Sequence, residues 1–333
     1  IATIVSSIAL FASQNTITVY TAKKIKIQST LYFISLLAAF LGSIILIFLY
    51  YRVDVALVVV GYVINTLAIG EILGKKYFTI YSKYVLIQKS SFVLIGILFF
   101  YLFNVEGILY AIALSYSFYA IIVFRRLKSQ KLNFPLVKEH VGFITNNYFF
   151  NIIQIIRGQI DKIIIPSILS FTILGNYAFA LQIISVLIIF PDIIYKFILP
   201  NDASGQSTKK IKLFSILICG ILMVCGIILA PVLIPIFFSA YTESIFAIQI
   251  MSLVIVPTSI TFILTSKLLG MENSRHVLIS RIVGLCLIFP SMIILGLEFE
   301  IIGVAIAYLI SNIGSTISLV TSNYIIKMHN NQI

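Results

Sequence analysis

The chain has 333 residues, 60% of them hydrophobic and 10% charged, with a mean hydropathy of +1.11. Charged residues alone make up about 25% of a soluble globular protein, so this composition excludes one and leaves an integral membrane protein. The net charge of +12 would suit a nucleic acid only if the cations shared one surface; they are instead distributed among the connections between apolar runs.

A helix that crosses a bilayer needs about 20 mostly apolar residues. In chain order the apolar runs predict eleven spans, at 1–20, 30–51, 55–74, 85–103, 107–124, 139–169, 173–199, 213–238, 244–268, 277–297 and 301–326. The loops between them are short, and no run is left over for a soluble domain. Alternate connections hold 20 of the 23 basic residues: Lys23, Lys24 and Lys26; Lys75, Lys76, Lys83 and Lys89; the group from Arg125 to Lys138; Lys196 with Lys209, Lys210 and Lys212; Lys267, Arg275 and Arg281; and Lys327. The opposite connections contain Arg52 alone, with Asp54, Glu106, Glu243, Glu298 and Glu300. This positive-inside asymmetry predicts a cytoplasmic basic face and a cytoplasmic C-terminus, and no nucleic-acid partner.

Part of the chain recurs. Lys23-Lys24-Ile25-Lys26 returns as Lys209-Lys210-Ile211-Lys212 at an offset of 186, and the segment Ser82 to Lys89 returns as Ser274 to Arg281 at an offset of 192. Gly107, followed by Ala111 and Ala113, faces Gly303, followed by Ala305 and Ala307, the glycines at an offset of 196. Three matches in the same order predict duplicated halves, the organisation of transporters whose substrate path lies between two related bundles. The first span would enter from the outer face, and the sixth span projected back by 186 begins before residue 1. A further helix, with part of the next in a leader of roughly 50 residues, is therefore expected ahead of residue 1. The expected architecture is an all-α polytopic membrane protein of six plus six helices, its lobes at 1–134 and 135–333.

Metal and nucleotide chemistry find no footing. Cys219, Cys225 and Cys286 all fall within spans, where they read as packing residues, and the three histidines are scattered. Gly70-Glu71-Ile72-Leu73-Gly74-Lys75-Lys76 has three residues between its glycines where a phosphate-binding loop needs four, and no Ser or Thr follows Lys75. A membrane glycosyltransferase or polymerase would display carboxylates or arginines on a large outer loop, and no such loop exists. No enzymatic role and no cofactor are expected. All eight prolines lie at or after residue 135, several of them in spans, where each weakens a helix hydrogen bond and permits bending.

The sixth span carries the chemistry. It contains Asn146, Asn147, Asn151, Gln154, Arg157, Gln159, Asp161 and Lys162, which a lipid-facing helix has no reason to hold. At 100° per residue, Asn147, Asn151, Gln154, Gly158 and Asp161 form one stripe, flanked by Arg157 and Lys162. Such a stripe faces protein or water. Either Arg157 and Asp161, at i and i+4, neutralise each other in the bundle interior, or the stripe lines a cavity; the second is the preferred reading. Asp192, behind Pro191, is placed to pair with Lys196 at i+4 or to titrate during transport.

At Asp161-Lys162-Ile163-Ile164-Ile165, Leu174-Gly175-Asn176-Tyr177-Ala178-Phe179-Ala180 and Pro200, and again at Pro235, Phe238 and Tyr241 and in Gly303-Val304-Ala305-Ile306-Ala307, the chain resembles the polysaccharide flippases called Wzx. These belong to the multidrug/oligosaccharidyl-lipid/polysaccharide (MOP) exporter superfamily. Ser239 stands where that family often has Gly. The resemblance implies a two-lobed bundle that flips an undecaprenyl-pyrophosphate-linked oligosaccharide from the cytoplasmic to the outer leaflet of a bacterial inner membrane. Its partners are then the bilayer and other polysaccharide assembly proteins, and a proton or sodium gradient would drive turnover. On that reading Arg157 and Lys162 attract the pyrophosphate, because Arg grips phosphate oxygens bidentately and Lys acts as a point charge. Asn147, Asn151 and Gln154 hydrogen-bond sugar hydroxyls, and Asp161 holds Arg157 or exchanges a proton. A drug or metabolite antiporter of the same superfamily would want carboxylates in its cavity instead. A polymerase or assembly scaffold of the same pathway would need no repeated halves.

Overall fold

A computed structural model describes residues 2–330 of the chain, with side chains over 4–328. Thirteen α-helices occur among these residues, and no strand: α1 Ala2–Ala9, α2 Gln14–Ala22, α3 Gln28–Tyr50, α4 Val53–Gly74, α5 Phe78–Ser115, α6 Ala120–Ser129, α7 Phe134–Glu139, α8 Val141–Ile168, α9 Phe171–Ala203, α10 Lys209–Phe237, α11 Ile245–Ser252, α12 Ile255–Gly270 and α13 Ser274–Asn330. Six described segments are long and apolar enough to cross a membrane, or seven if the bent pair joining Ser239–Ser252 to Ile255–Gly270 is one span. Two of the six, Phe78–Ser129 and Ser274–Met328, hold 52 and 55 residues. At 1.5 Å per residue each is more than twice the roughly 30 Å of a hydrocarbon core.

Both long segments fold back on themselves. In α5 the break is Asn104, with φ 53° and ψ −140°, and in α13 it is Glu300, with φ 48° and ψ −127°. Three residues later a glycine lies against the preceding helix: a Cβ on Gly107 would overlap the Phe99 carbonyl, and one on Gly303 would overlap the Leu295 carbonyl. Residues eight apart touch only if the chain has reversed. The expected pairs 85–103 with 107–124 and 277–297 with 301–326 are thus helical hairpins, built at positions related by an offset of 196.

The same offset governs the turns that lead into these hairpins. After α4, Lys76 N–H donates to Leu73 O (2.8 Å) and Tyr77 N–H to Ile72 O (3.1 Å); after α12, Glu272 N–H donates to Leu269 O (3.0 Å) and Asn273 N–H to Leu268 O (2.9 Å). Lys76 (φ 60°) and Glu272 (φ 61°) both take the left-handed conformation that ends such helices. Gly107 with Ala111, and Gly303 with Ala307, keep this register. The other two sequence matches do not. Lys23 to Lys26 lie in the turn between α2 and α3, whereas Lys209 to Lys212 form the first turn of α10. The 192-residue offset of Ser82 and Ser274 is one helical turn short of the 196 that the backbone keeps. Lysine-rich stretches drift because solvated charge is selected by face of the membrane, while a glycine under a carbonyl cannot move by a residue.

Two expected spans are broken helices. The run 1–20 divides into α1 and α2 because Ser13 caps a new helix, its Oγ accepting the Thr16 N–H at 3.1 Å, while Ala12 N–H turns to Ser35 Oγ at 3.1 Å. The run 244–268 divides into α11 and α12 with a bend of 41°. There Pro257 falls in the first turn of α12, where its missing N–H costs no helix bond. The sixth expected span is α8, 28 residues long, and its polar stripe keeps it out of the apolar set.

The chain clusters into two units, residues 1–152 with 199–204, and 153–198 with 205–333. In the first, α4 is central and packs on α2, α3 and α5. Gly70 makes this possible, since a Cβ there would press on Ile17 Cβ at 2.9 Å, and Thr18 Oγ1 donates to Gly70 O at 3.2 Å. Tyr20, Tyr32, Leu67 and Tyr119 are fully buried around it. The core of the second unit joins Ile164 and Ile165 of α8, Tyr177, Ala180 and Ile184 of α9, Ala230 and Ile234 of α10, Met251 of α11, and Met292 and Val304 of α13. In both units large apolar side chains also point outward, Phe48 at 74% and Leu94 at 70% exposure, Ile236 at 68% and Phe171 at 79%. Acyl chains, not water, suit such a surface.

Candidate functional site

In the second unit, α8, α9 and α13 bring polar groups into the apolar core. Arg157 enters from α8. Its Nε and Nη2 are buried and have no hydrogen-bond partner. The phenols of Tyr177 on α9 and Tyr308 on α13 lie within electrostatic range of its guanidinium. Arg281, on the first half of α13, is only 8% exposed and close enough to repel Arg157. Tyr195 on α9 neighbours Arg281, and its hydroxyl is buried without a partner. Its ring packs on Phe262 with centroids 5.2 Å apart.

Asp161 is also buried, at 5% exposure, and lies within range of Tyr177 and Tyr308. One of its oxygens accepts the Lys162 backbone N–H at 2.8 Å. Among the described residues it forms no ion pair with Arg157, so the alternative in which the two neutralise each other is not seen. Their i, i+4 spacing brings the Cα atoms to one face, yet Asp161 turns back to its own backbone, and Arg157 is left with tyrosines.

The rest of the predicted stripe divides. Asn147 is buried, its Nδ2 donating to Phe143 O of its own helix at 2.9 Å and its Oδ1 unpartnered. Asn151 is half-buried, and both belong to the first unit's share of α8. Gln154 and Gly158, which the 100° periodicity puts on the same face, are exposed. Lys162 is exposed too, and its Nζ donates to Gln159 Oε1 at 3.1 Å. It does not join Arg157. Asp192 pairs with Lys196, Oδ2 to Nζ 2.6 Å, one turn apart on α9.

Arg281 is the residue that sequence reasoning missed, because it was read as one more cation of a basic connection. A signal was present: Arg281 stands eight residues into its helix, where a cation meant for the interface has already passed it. The arrangement is an interior cluster of two guanidiniums, three phenols and one carboxylate. Its unsatisfied donors on Arg157 suit an anion, since a buried charge without a partner costs several kcal/mol. Among the described residues no group of His, Cys, Asp and Glu side chains is arranged to hold a metal ion.

No protein-family model and no curated protein match this chain. Solved structures do. An outward-facing multidrug resistance MATE family transporter of the MOP superfamily is 13% identical, with a TM-score of 0.77 over 99% of this chain and 86% of that one. The MATE transporter ClbM, in complex with Rb+, is 13% identical with a TM-score of 0.73, over 96% and 83%. A MOP superfamily transporter from Pyrococcus furiosus, reported with a binding pocket of reverse polarity suggesting a different function, is 12% identical with a TM-score of 0.72, over 98% and 84%. The fold is therefore that of the MATE transporters of the MOP superfamily.

Proposed function

We propose that the protein is a flippase that carries an undecaprenyl-pyrophosphate-linked oligosaccharide from the cytoplasmic to the outer leaflet of a bacterial inner membrane by alternating access. One observation carries the reading: Arg157, half-buried beside tyrosines, has two buried guanidinium nitrogens without a hydrogen-bond partner, and a second arginine is close enough to repel it. A pyrophosphate supplies what this arrangement lacks, several anionic oxygens that accept from both forks at once. Sugar hydroxyls would fall to Tyr177, Tyr195, Tyr308 and Gln154 of the same unit. The prenyl tail would stay in lipid, because burying it would demand a far larger apolar pocket. Lys162, on the exposed side of α8, would meet the headgroup only on its way in. Asp161, with one oxygen already satisfied by its own helix, is suited to accept a proton in a gradient-driven cycle.

Transport of a drug or metabolite is the second reading, favoured by the multidrug transporters among the solved structures of this fold. Substrate charge separates the two, since a cationic drug would be repelled by Arg157 and Arg281 and would need Asp161. The experiment is a lipid-linked oligosaccharide flipping assay, or surface-polysaccharide complementation, with Arg157→Ala and Arg157→Lys at matched protein levels. Flipping is expected to fall at least about tenfold in the alanine variant, as for loss of a charge-assisted hydrogen bond worth about 1.5–3 kcal/mol, with partial recovery in the lysine variant. Normal export by both would remove the anion-site assignment. Loss of drug efflux in Asp161→Asn, with flipping absent from the parent, would establish the antiporter instead.

A further inference from the structure

The first unit has a concentration of positive charge of its own, which shares no residue with the Arg157 site. A cavity of about 1040 Å³ is walled by the α2–α3 turn, the α4–α5 turn, the end of α6 and residues 203–204. Lys23, Lys24, Lys26, Lys75, Lys76 and Arg126 line it. Glu71 is buried behind Lys75 and Arg126 and already engaged by both. Three of the walls are loops far apart in the chain, around residues 22–26, 75–77 and 203–204, so the convergence is a product of folding.

Loop charge alone does not explain these lysines. Lys24 and Lys76 occupy the left-handed position of two like turns, φ 61° and 60°, each anchored by neighbouring N–H groups: Lys24 N–H to Thr21 O (3.1 Å) and Ile25 N–H to Tyr20 O (2.9 Å) in the first, Lys76 and Tyr77 to Leu73 and Ile72 in the second. Glycine is the residue that such a position favours, and a lysine there costs on the order of 1 kcal/mol. The matching turn of the second unit has the same backbone with Glu272 in place of Lys76, Met271 in place of Lys75 and Lys267 in place of Glu71. The turn therefore tolerates either charge, and its cationic form is a choice made in the first unit. Lys76 is also half-buried, its Nζ donating to Ser204 Oγ at 2.7 Å, and burial lowers its pKa below the ordinary lysine value. Lysine that is already partly stripped of water binds an anion at a smaller further cost of desolvation.

We propose that this basin is a phosphate-binding site separate from the Arg157 site, taking the headgroup of an anionic lipid or a free polyphosphate at the face where the basic connections gather. Basic pockets at that membrane face have the charge and position to hold phosphate headgroups. The basin is independent of the flippase reading, because no residue is shared between them.

The test uses the full chain carrying Arg157→Ala, so that the two sites are read apart. Binding of sodium pyrophosphate is measured by titration calorimetry in neutral detergent. Retention of phosphatidylglycerol is measured by native mass spectrometry from nanodiscs of phosphatidylglycerol and phosphatidylcholine. At least one probe is expected to bind, and Lys24→Gly/Lys76→Gly is expected to weaken it about thirtyfold. Because glycine suits the left-handed backbone, that variant keeps or raises its melting temperature, and the loss cannot come from misfolding. Lys24→Arg/Lys76→Arg keeps the charge and is expected to stay within about threefold of the parent. Pyrophosphate binding assigns the site to the phosphate itself; phosphatidylglycerol binding without it assigns the site to a membrane lipid. Failure of both probes to bind, or binding by Lys24→Gly/Lys76→Gly within twofold of the parent, overturns the proposal.

Discussion

The two units treat a buried charge in opposite ways. In the first, Glu71 of α4 is 2% exposed and surrounded: Lys75 Nζ lies 2.5 Å from Oε1, Arg126 Nε donates to the same oxygen at 3.0 Å, and Tyr32 OH donates to Oε2 at 2.9 Å. In the second, Arg157 is half-buried beside tyrosines, with two buried nitrogens unsatisfied. A closed network holds helices together and leaves nothing to offer a ligand; an open one costs stability and keeps its donors for something else. Hairpins and turns repeat between the units to within a residue, yet the charges do not. Architecture and chemistry are set by different side chains.

The comparison is tested most severely at the hairpins. Gly107→Ala and Gly303→Ala each force a Cβ into a backbone carbonyl, and each is expected to lower stability by about 3 kcal/mol or more, read as a fall in melting temperature of the solubilised protein. Equal losses would support equivalent hairpins, and a harmless substitution at either site would break the repeat. Next comes Glu71→Ala, which strands Arg126 beside an empty oxygen site. Its expected cost is about 3 kcal/mol, and replacing Arg126 by Met in the same chain should restore much of it. A larger loss in the double variant would mean that Arg126 has another essential partner.

Arg157→Ala should have the opposite sign in stability. Removing a half-buried cation with two unsatisfied nitrogens is expected to leave the melting temperature unchanged or raise it by the equivalent of about 1 kcal/mol, while transport falls. A drop like that of Glu71→Ala would show that Arg157 is structural and erase the contrast. The smallest effect concerns the hairpin tips, where Asn104 and Glu300 hold positive φ with ψ far from the helical region. Glycine at either position should stabilise by about 1 kcal/mol, with the same sign in both units.

Much of the fold was legible beforehand. Each of the eleven apolar runs is helical, because hydropathy and the length needed to cross a bilayer are properties of local sequence. The breaks inside 1–20 and 244–268 were less legible: Ser13 and Pro257 were there to read, but whether a cap or a proline divides a span depends on what receives the freed backbone groups, such as Ser35 for Ala12. In the site, the spacing of Asn147, Asp161 and Arg157 identified α8 as the helix carrying chemistry. Lys162 and Gln154 fell on exposed flanks, since a periodicity gives a face but not what covers it. The absence of an Arg157–Asp161 pair was beyond reach for the same reason, rotamers being chosen by neighbours on α9 and α13. Of the three repeated motifs, only the one built on Gly107 and Gly303 keeps its register, because only there does a steric contact hold it.

By itself the amino-acid order determined that this is a membrane-embedded helical protein with an internal duplication and one unusually polar span, because hydrophobic length, charge asymmetry and recurrence are summed along the chain. Only the tertiary structure decided which cations converge. Arg281 joins Arg157, and Lys24 joins Lys76, through packing of helices far apart in sequence, and long-range electrostatics in a low-dielectric interior are set by distance in space.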